Sequence, residues 1–286
     1  MRRCPNWILI TLVLISIAFF ILVLIPNTKA SKNIAMVSMF EPDEGIMVPV
    51  IQKMIAPKET LKHLIYYFVA YEYYYYGFPF FAFSAMTALP LQGVNQLENI
   101  PLVMAILRQV VTVLPTLLAL LLLVYLHDRF KTHRSIVLYL FLLTVPAVIN
   151  NSFWWHPDGI VLLLSVLVLT LLYQDDHRLG PKFFAGAFIC GILTATKLVG
   201  AYFFLSVGLT IIWSVVNRYV TCKKALIKSF AFILIMGITF VIANPFLLLK
   251  GHGTLYLNTV QKQTDLLSEG YSILYDKGLA AAWPTM

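Results

Sequence analysis

The sequence predicts an all-α fold, a polytopic bundle of transmembrane helices, and three observations carry that prediction. Hydrophobic residues make up 60% of the 286 and charged residues 12%, against about 25% charged in soluble domains, and the mean hydropathy is +0.82. The apolar residues fall in runs of about 15 to 26 separated by short polar pieces, as helices crossing a hydrocarbon core of about 30 Å require. No series of alternating ten-residue strands is present, so helices are the spanning elements.

The first run, Trp7 to Ile25, follows Arg2 and Arg3. Thr28-Lys29-Ala30-Ser31 resembles a small-residue cleavage site, but about 19 apolar residues exceed the 7 to 15 of a signal-peptide core, so the run reads as an uncleaved anchor. Further crossings are expected at Pro101 to Leu126, Ser135 to Asn150, Gly159 to Tyr173, Phe183 to Thr196, Leu198 to Val216 and Ser229 to Leu249. The fifth and sixth are nearly continuous, and Lys197 to Gly200 reads as a tight turn or a kinked hairpin.

Basic residues set the orientation. With a cytoplasmic N-terminus, the cytoplasmic loops hold Arg129, Lys131 and Arg134, then Arg178 and Lys182, then Arg218, Lys223, Lys224 and Lys228, whereas the outer turn Asn151 to Asp158 holds none. Residues 26–100 then form a long first outer loop, and 250–286 an outer tail of a single 1–286 membrane module. Within that loop Leu64 to Leu91 is apolar and tyrosine-rich. A full span there would move HDRFKTHR to the outer side, so the stretch reads as interfacial helices at the outer leaflet, with an ordinary span as the alternative.

The net charge of +8 raises nucleic acid as a partner, but the basic residues lie between apolar runs and form no stripe with interleaved aromatics. Cys4, Cys190 and Cys222 have neither paired nor metal-ligand spacing.

This topology gathers the unusual polar residues at one face. The stretch MFEPDEG, residues 39–45, puts Glu41, Asp43 and Glu44 after the first crossing, in a chain with only 13 acidic residues. Arg108 lies about two turns inside the second crossing, where arginine costs several kcal/mol unless it meets a polar cavity, a partner or the headgroups by snorkelling. His156 and Asp158 sit in the outer turn SFWWHPDG, whose Pro, Asp and Gly also suit a plain turn and helix start. Its two tryptophans read as interfacial anchors. Lys197 stands at the outer end of the fifth crossing, where lysine also anchors to lipid phosphate.

Carboxylate, arginine and lysine at an outer membrane face suit a lipid-linked sugar phosphate. Its phosphate lies at headgroup depth, its tail needs an apolar groove, and its sugar points outward. Arg108 and Lys197 would bind the phosphate and stabilise the charge that grows as the sugar leaves. Because phosphate is already a good leaving group, one carboxylate taking the proton from an acceptor hydroxyl suffices, and direct displacement inverts the anomeric carbon. Asp43 is the expected base, Glu44 the first alternate and Glu41 a bystander. No cofactor is required, although the acidic cluster offers oxygen ligands to a divalent cation.

The order FEPDEG, ILRQV, WWHPDGIVLLL, GILTATKLVGAYFF and ANPFLLL, followed by Gln263 and Glu269-Gly270, resembles the GT-C membrane glycosyltransferases. It is most similar to the bacterial branch related to protein O-mannosyltransferases and lipid A aminoarabinose transferase. The resemblance covers nearly all of the chain through short motifs. It implies a polyprenyl-phosphate sugar donor, a lipid, glycan or protein acceptor, and a site on the periplasmic side of the cytoplasmic membrane. It also implies a catalytic acid in the first outer loop, Asp43 with Glu44 as its neighbour, Arg108 and Lys197 near the phosphate, and His156 and Asp158 lining the cavity. The family usually continues past the seventh span, so the resemblance implies a chain incomplete at its C-terminus. YYYYGFPFF stands where a Pro-Pro step is common. The rival readings are a transporter or lipid-translocating protein, with Arg108, Lys197 and Asp158 as intramembrane sites, and a non-catalytic membrane subunit.

Overall fold

The computed structural model describes residues 6–33, 35, 37 and 41–269 of the chain, with Asn6 and 267–269 as backbone. Cys4, Met39, Phe40 and the tail from Gly270 lie outside the described residues. Every regular element among the described residues is helical.

Helix α1 spans Asn6–Ala30. The segment that follows carries α2, Pro42–Ile55, α3, Leu61–Val69, and α4, Phe78–Gly93. Helix α5, Ile100–Asp128, includes a π-helical turn over Arg108–Val113. Next come α6, Arg134–Leu143, and the short α7, Pro146–Asn151. Helices α8, Asp158–Gln174, and α9, Pro181–Thr196, precede a 3-10 turn, Leu198–Phe203, that leads into α10, Phe204–Val216. Helix α11, Cys222–Ala243, ends in a second 3-10 turn, Pro245–Leu248, and α12, His252–Glu269, occupies the described part of the tail.

Among the described residues, four helical segments are long and apolar enough to cross a membrane: Trp7–Ala30, Ile100–Asp128, Leu198–Val216 and Cys222–Ala243. This is a membrane protein by that measure. Helices α6, α8 and α9 are apolar but shorter; the 17 residues of α8 reach about 25 Å at 1.5 Å per residue. The apolar run expected at Ser135 to Asn150 is broken, because Val145 is extended ahead of Pro146, whose ring disfavours a helical predecessor. The run Leu64 to Leu91 is likewise two helices, α3 and the 16-residue α4, joined through 70–77.

Packing follows three buried clusters. Helix α9 lies between α8 and α11, with Phe183, Leu193 and Phe232 buried among them. Helix α1 packs on α5 and α6 around Leu12, Leu117 and Tyr139. The remaining cluster joins α2, α4 and the start of α5 to Tyr71, Trp155 and Phe246. It forms the floor on which the polar residues meet. At the far end of α9 the chain reverses tightly: a Cβ on Gly200 would stand 2.6 Å from the Thr194 backbone nitrogen.

Candidate functional site

Helix α2 begins with Pro42, whose missing N–H costs nothing in a first turn. Asp43 and Glu44 follow at the positive end of the helix dipole. Glu44 turns inward and is 0% exposed, and Arg108 is 2% exposed. Arg108 Nε donates to Glu44 Oε1 at 2.8 Å and Nη2 donates to Oε2, a bidentate ion pair. The Trp155 backbone N–H also donates to Glu44 Oε1. The π-helical turn begins at Arg108, and such a one-residue bulge re-aims the side chains around it. Arg108 thus has a carboxylate partner and does not snorkel; its guanidinium is enclosed within the protein.

Asp43 is half-buried and starts a second set of contacts. Tyr76 Oη donates to Asp43 Oδ2 at 2.8 Å and lies 2.7 Å from His156 Nε2. His156 Nδ1 stands 2.9 Å from Asp158 Oδ2, and Lys197 Nζ donates to Asp158 Oδ1 at 2.7 Å. Trp154 stacks flat on the His156 ring at 4.1 Å and 2°. The structure therefore brings all six sequence-predicted residues together: Asp43, His156, Asp158 and Lys197 in one chain of contacts through Tyr76, and Glu44 with Arg108 directly beneath it.

Close backbone approaches hold this arrangement. Gly77 N donates to Thr196 O at 3.0 Å, and a Cβ there would stand 1.4 Å from Ala195 O. Only glycine lets the tyrosine-rich loop lie against the end of α9, which places Tyr76 near Lys197. The adjacent Phe78 N–H, free at the start of α4, donates to Asn244 Oδ1 at 3.1 Å. Thr112 binds the backbone of His156 in both directions at 3.2 Å. A Cβ on Gly159 would come 2.4 Å from Thr112 O, so glycine permits the crossing of α8 against α5.

The electrostatics follow from these neighbours. Burial and then the Asp43 carboxylate push the Tyr76 phenol up, so Tyr76 stays a hydroxyl donor. At the start of α8, burial raises the Asp158 carboxyl, but hydrogen bonding and charge from His156 and then Lys197 outweigh it and hold it at about 2. Burial and the Glu44 charge push the Glu41 carboxyl up.

A cavity of about 990 Å³ adjoins the cluster, with Glu41, Asn151, Trp154 and Asp158 at one end and Val148, Val161, Leu162 and Ser165 on its walls. From Asp158 to Ser165 it follows α8 for about 10 Å. Among the described residues no three His, Cys, Asp or Glu are grouped so as to hold a metal ion.

One sequence expectation about the site is corrected. Trp155 is not an interfacial anchor: it is fully buried, its indole N–H donates to Ser84 Oγ at 3.0 Å, and it shares a buried cluster with Phe80. Glu41, read from the sequence as a bystander, lines the cavity. Sequence reasoning missed Tyr76, one of four consecutive tyrosines, because nothing in the run marks which hydroxyl turns inward. The available signal was Gly77, which ends the run where backbone must approach backbone.

In comparisons with known proteins, no protein-family model matches the chain, and no curated protein and no solved structure is significantly similar to it.

Proposed function

We propose that this chain is an inverting glycosyltransferase that moves a sugar from a polyprenyl-phosphate donor to an acceptor hydroxyl at the outer face of the cytoplasmic membrane, on a GT-C-like bundle of seven spans. The supporting observation is the contact chain from Asp43 through Tyr76, His156 and Asp158 to Lys197, beside a cavity lined by Glu41 and Asp158 together with Val148, Val161 and Leu162.

Asp43 is the base. It takes the acceptor hydroxyl proton while the acceptor oxygen bonds to the anomeric carbon and the bond from that carbon to the phosphate oxygen breaks. Electrons of the broken bond leave on the polyprenyl phosphate, and the Lys197 ammonium, with one of its three donors spent on Asp158, meets that growing charge. The apolar walls of the cavity take the start of the lipid tail. Glu44 and Arg108 have a different part from the one the sequence suggested. With both carboxylate oxygens occupied, Glu44 is poorly placed to take a proton, and Arg108 fixes α2 to α5 without reaching phosphate.

The test is purified protein in proteoliposomes supplied with radiolabelled polyprenyl-phosphate sugars. Wild type transfers label to acceptor, and Asp43→Asn abolishes transfer while remaining folded and inserted. Near-normal transfer by that variant would remove Asp43 as the base. Label crossing the bilayer without transfer would favour a translocating protein, and neither outcome a non-catalytic subunit.

A further inference from the structure

Tyr76 stands between two proton-holding groups and has one hydroxyl hydrogen for two short contacts, 2.8 Å to Asp43 Oδ2 and 2.7 Å to His156 Nε2. Two hydrogens are needed to fill both contacts. When the His156 hydrogen sits on Nε2, it fills one contact and the Tyr76 hydroxyl fills the other; when it sits on Nδ1, toward Asp158, Nε2 offers only a lone pair and Tyr76 can satisfy Asp43 or His156 but not both, and it is this tautomer that can accept a proton at Nε2.

We propose that Tyr76 is a relay residue: it passes the proton taken up at Asp43 to His156, and so returns Asp43 to the carboxylate for the next turnover. This rests on the transferase reading above and adds to it the route by which the proton leaves the base.

When the acceptor hydroxyl attacks, its proton arrives on Asp43. Protonated Asp43 then donates to Tyr76 Oη, and the Tyr76 hydroxyl donates to His156 Nε2, so both contacts are filled. Shifting both hydrogens one place leaves Asp43 as carboxylate, Tyr76 as phenol and His156 as imidazolium. No charge is created beyond the proton that entered. The sugar phosphate has meanwhile become a phosphate monoester with one more negative charge, so the imidazolium forms where charge is growing.

The surroundings suit each end. His156 Nδ1 stands 2.9 Å from Asp158 Oδ2, so the carboxylate charge balances an imidazolium. Lys197 holds Asp158 in turn, and Trp154 covers one ring face. Around Asp43 stand Glu41, Glu44 with its Arg108 partner, and Tyr73, whose phenol burial and then Asp43 push up to about 12. None of these bridges Asp43 to His156; Tyr76 does. Its loop is fixed for the task, with Tyr71 Oη donating to Tyr76 O at 2.8 Å and Gly77 bonded to Thr196 O. Tyr76 acts through Asp43 by carrying its proton onward and does not itself touch the reacting atoms.

The test compares a hydroxyl acceptor with azide, an anionic nucleophile that brings no proton and needs no base. Wild type transfers sugar to both. Tyr76→Phe and His156→Gln should each lose about tenfold or more in steady-state transfer to the hydroxyl acceptor, yet transfer to azide within about threefold of wild type. His156→Gln is the sharper variant, because the Gln amide still holds the Tyr76 hydroxyl in place but stores no proton. If Tyr76→Phe alone shows the loss, Tyr76 merely orients Asp43 and the relay is overturned. It is likewise overturned if both variants keep hydroxyl transfer, or if both lose azide transfer to the same extent, which marks a structural role. Wild type that transfers to neither nucleophile would sink the transferase reading and the relay with it, an outcome distinct from the other three.

Discussion

Glu44 and Arg108 meet as a bidentate ion pair with both side chains out of contact with solvent. The pair joins α2 to the π-helical turn of α5, and through the Trp155 N–H it also holds the HPDG turn. Removing one partner leaves the other charge buried and uncompensated, so Glu44→Ala should destabilise the detergent-solubilised protein by about 3–5 kcal/mol. Replacing both with Met fills the space without a stranded charge and leaves chiefly the Trp155 N–H unpaired, a cost of about 1–3 kcal/mol. Chemical denaturation of the three proteins checks this ordering. A double variant as unstable as Glu44→Ala would show that the pair does not act as a unit.

Backbone approach at two glycines fixes where the polar residues meet. Ala at Gly77 would drive its Cβ into Ala195 O, and Ala at Gly159 would drive it into Thr112 O and Cα. Neither backbone can yield as a flexible side chain would. Both variants should unfold at lower temperature and lose transfer. Gly208, inside α10, has nothing within 4 Å of its would-be Cβ, and Gly208→Ala should be neutral or stabilise by up to about 1 kcal/mol. Thermal unfolding of all three gives the comparison, and equal effects at Gly77 and Gly208 would contradict the packing described here.

Much of the helical layout was legible because a hydrocarbon solvent imposes run length on the sequence, and Trp7 to Ile25 and Leu198 to Val216 lie within helices of the structure. Breaks were less so. Pro146 interrupts the third apolar run through backbone sterics that a hydropathy average smooths away. The six polar residues were individually visible, since charge is conspicuous in so apolar a chain. Their pairing was not: Arg108 and Glu44 are separated by 64 residues, and only the fold decides that Arg108 meets Glu44 and Lys197 meets Asp158. Trp155 was misread because the sequence does not distinguish a tryptophan at a lipid interface from one beneath a turn.

Contacts at the site also constrain how the chain crosses the membrane. If only the four long segments crossed, residues 128–198 would stay on the cytoplasmic side, with His156, Asp158 and Lys197 far from Asp43. They are instead joined to it through Tyr76. In the proposed arrangement the chain returns from Asp128 to the outer face by Asn151 through α6 and α7, then runs inward along α8 and back along α9 to Lys197. The proposed seven-span arrangement therefore predicts distinct labelling of single cysteines placed at exposed positions after the three native cysteines are changed to serine. Lys62→Cys, Asn95→Cys and Lys262→Cys should react with a membrane-impermeant maleimide from outside intact cells, whereas Lys131→Cys, Asp176→Cys and Asn217→Cys should react only after permeabilisation. A four-span protein would exchange Asn217 and Lys262 between the two groups, and a full span through residues 64–91 would separate Lys62 from Asn95. Either pattern would overturn the arrangement, since neither brings Lys197 and Asp43 to the same face by the route the helices follow.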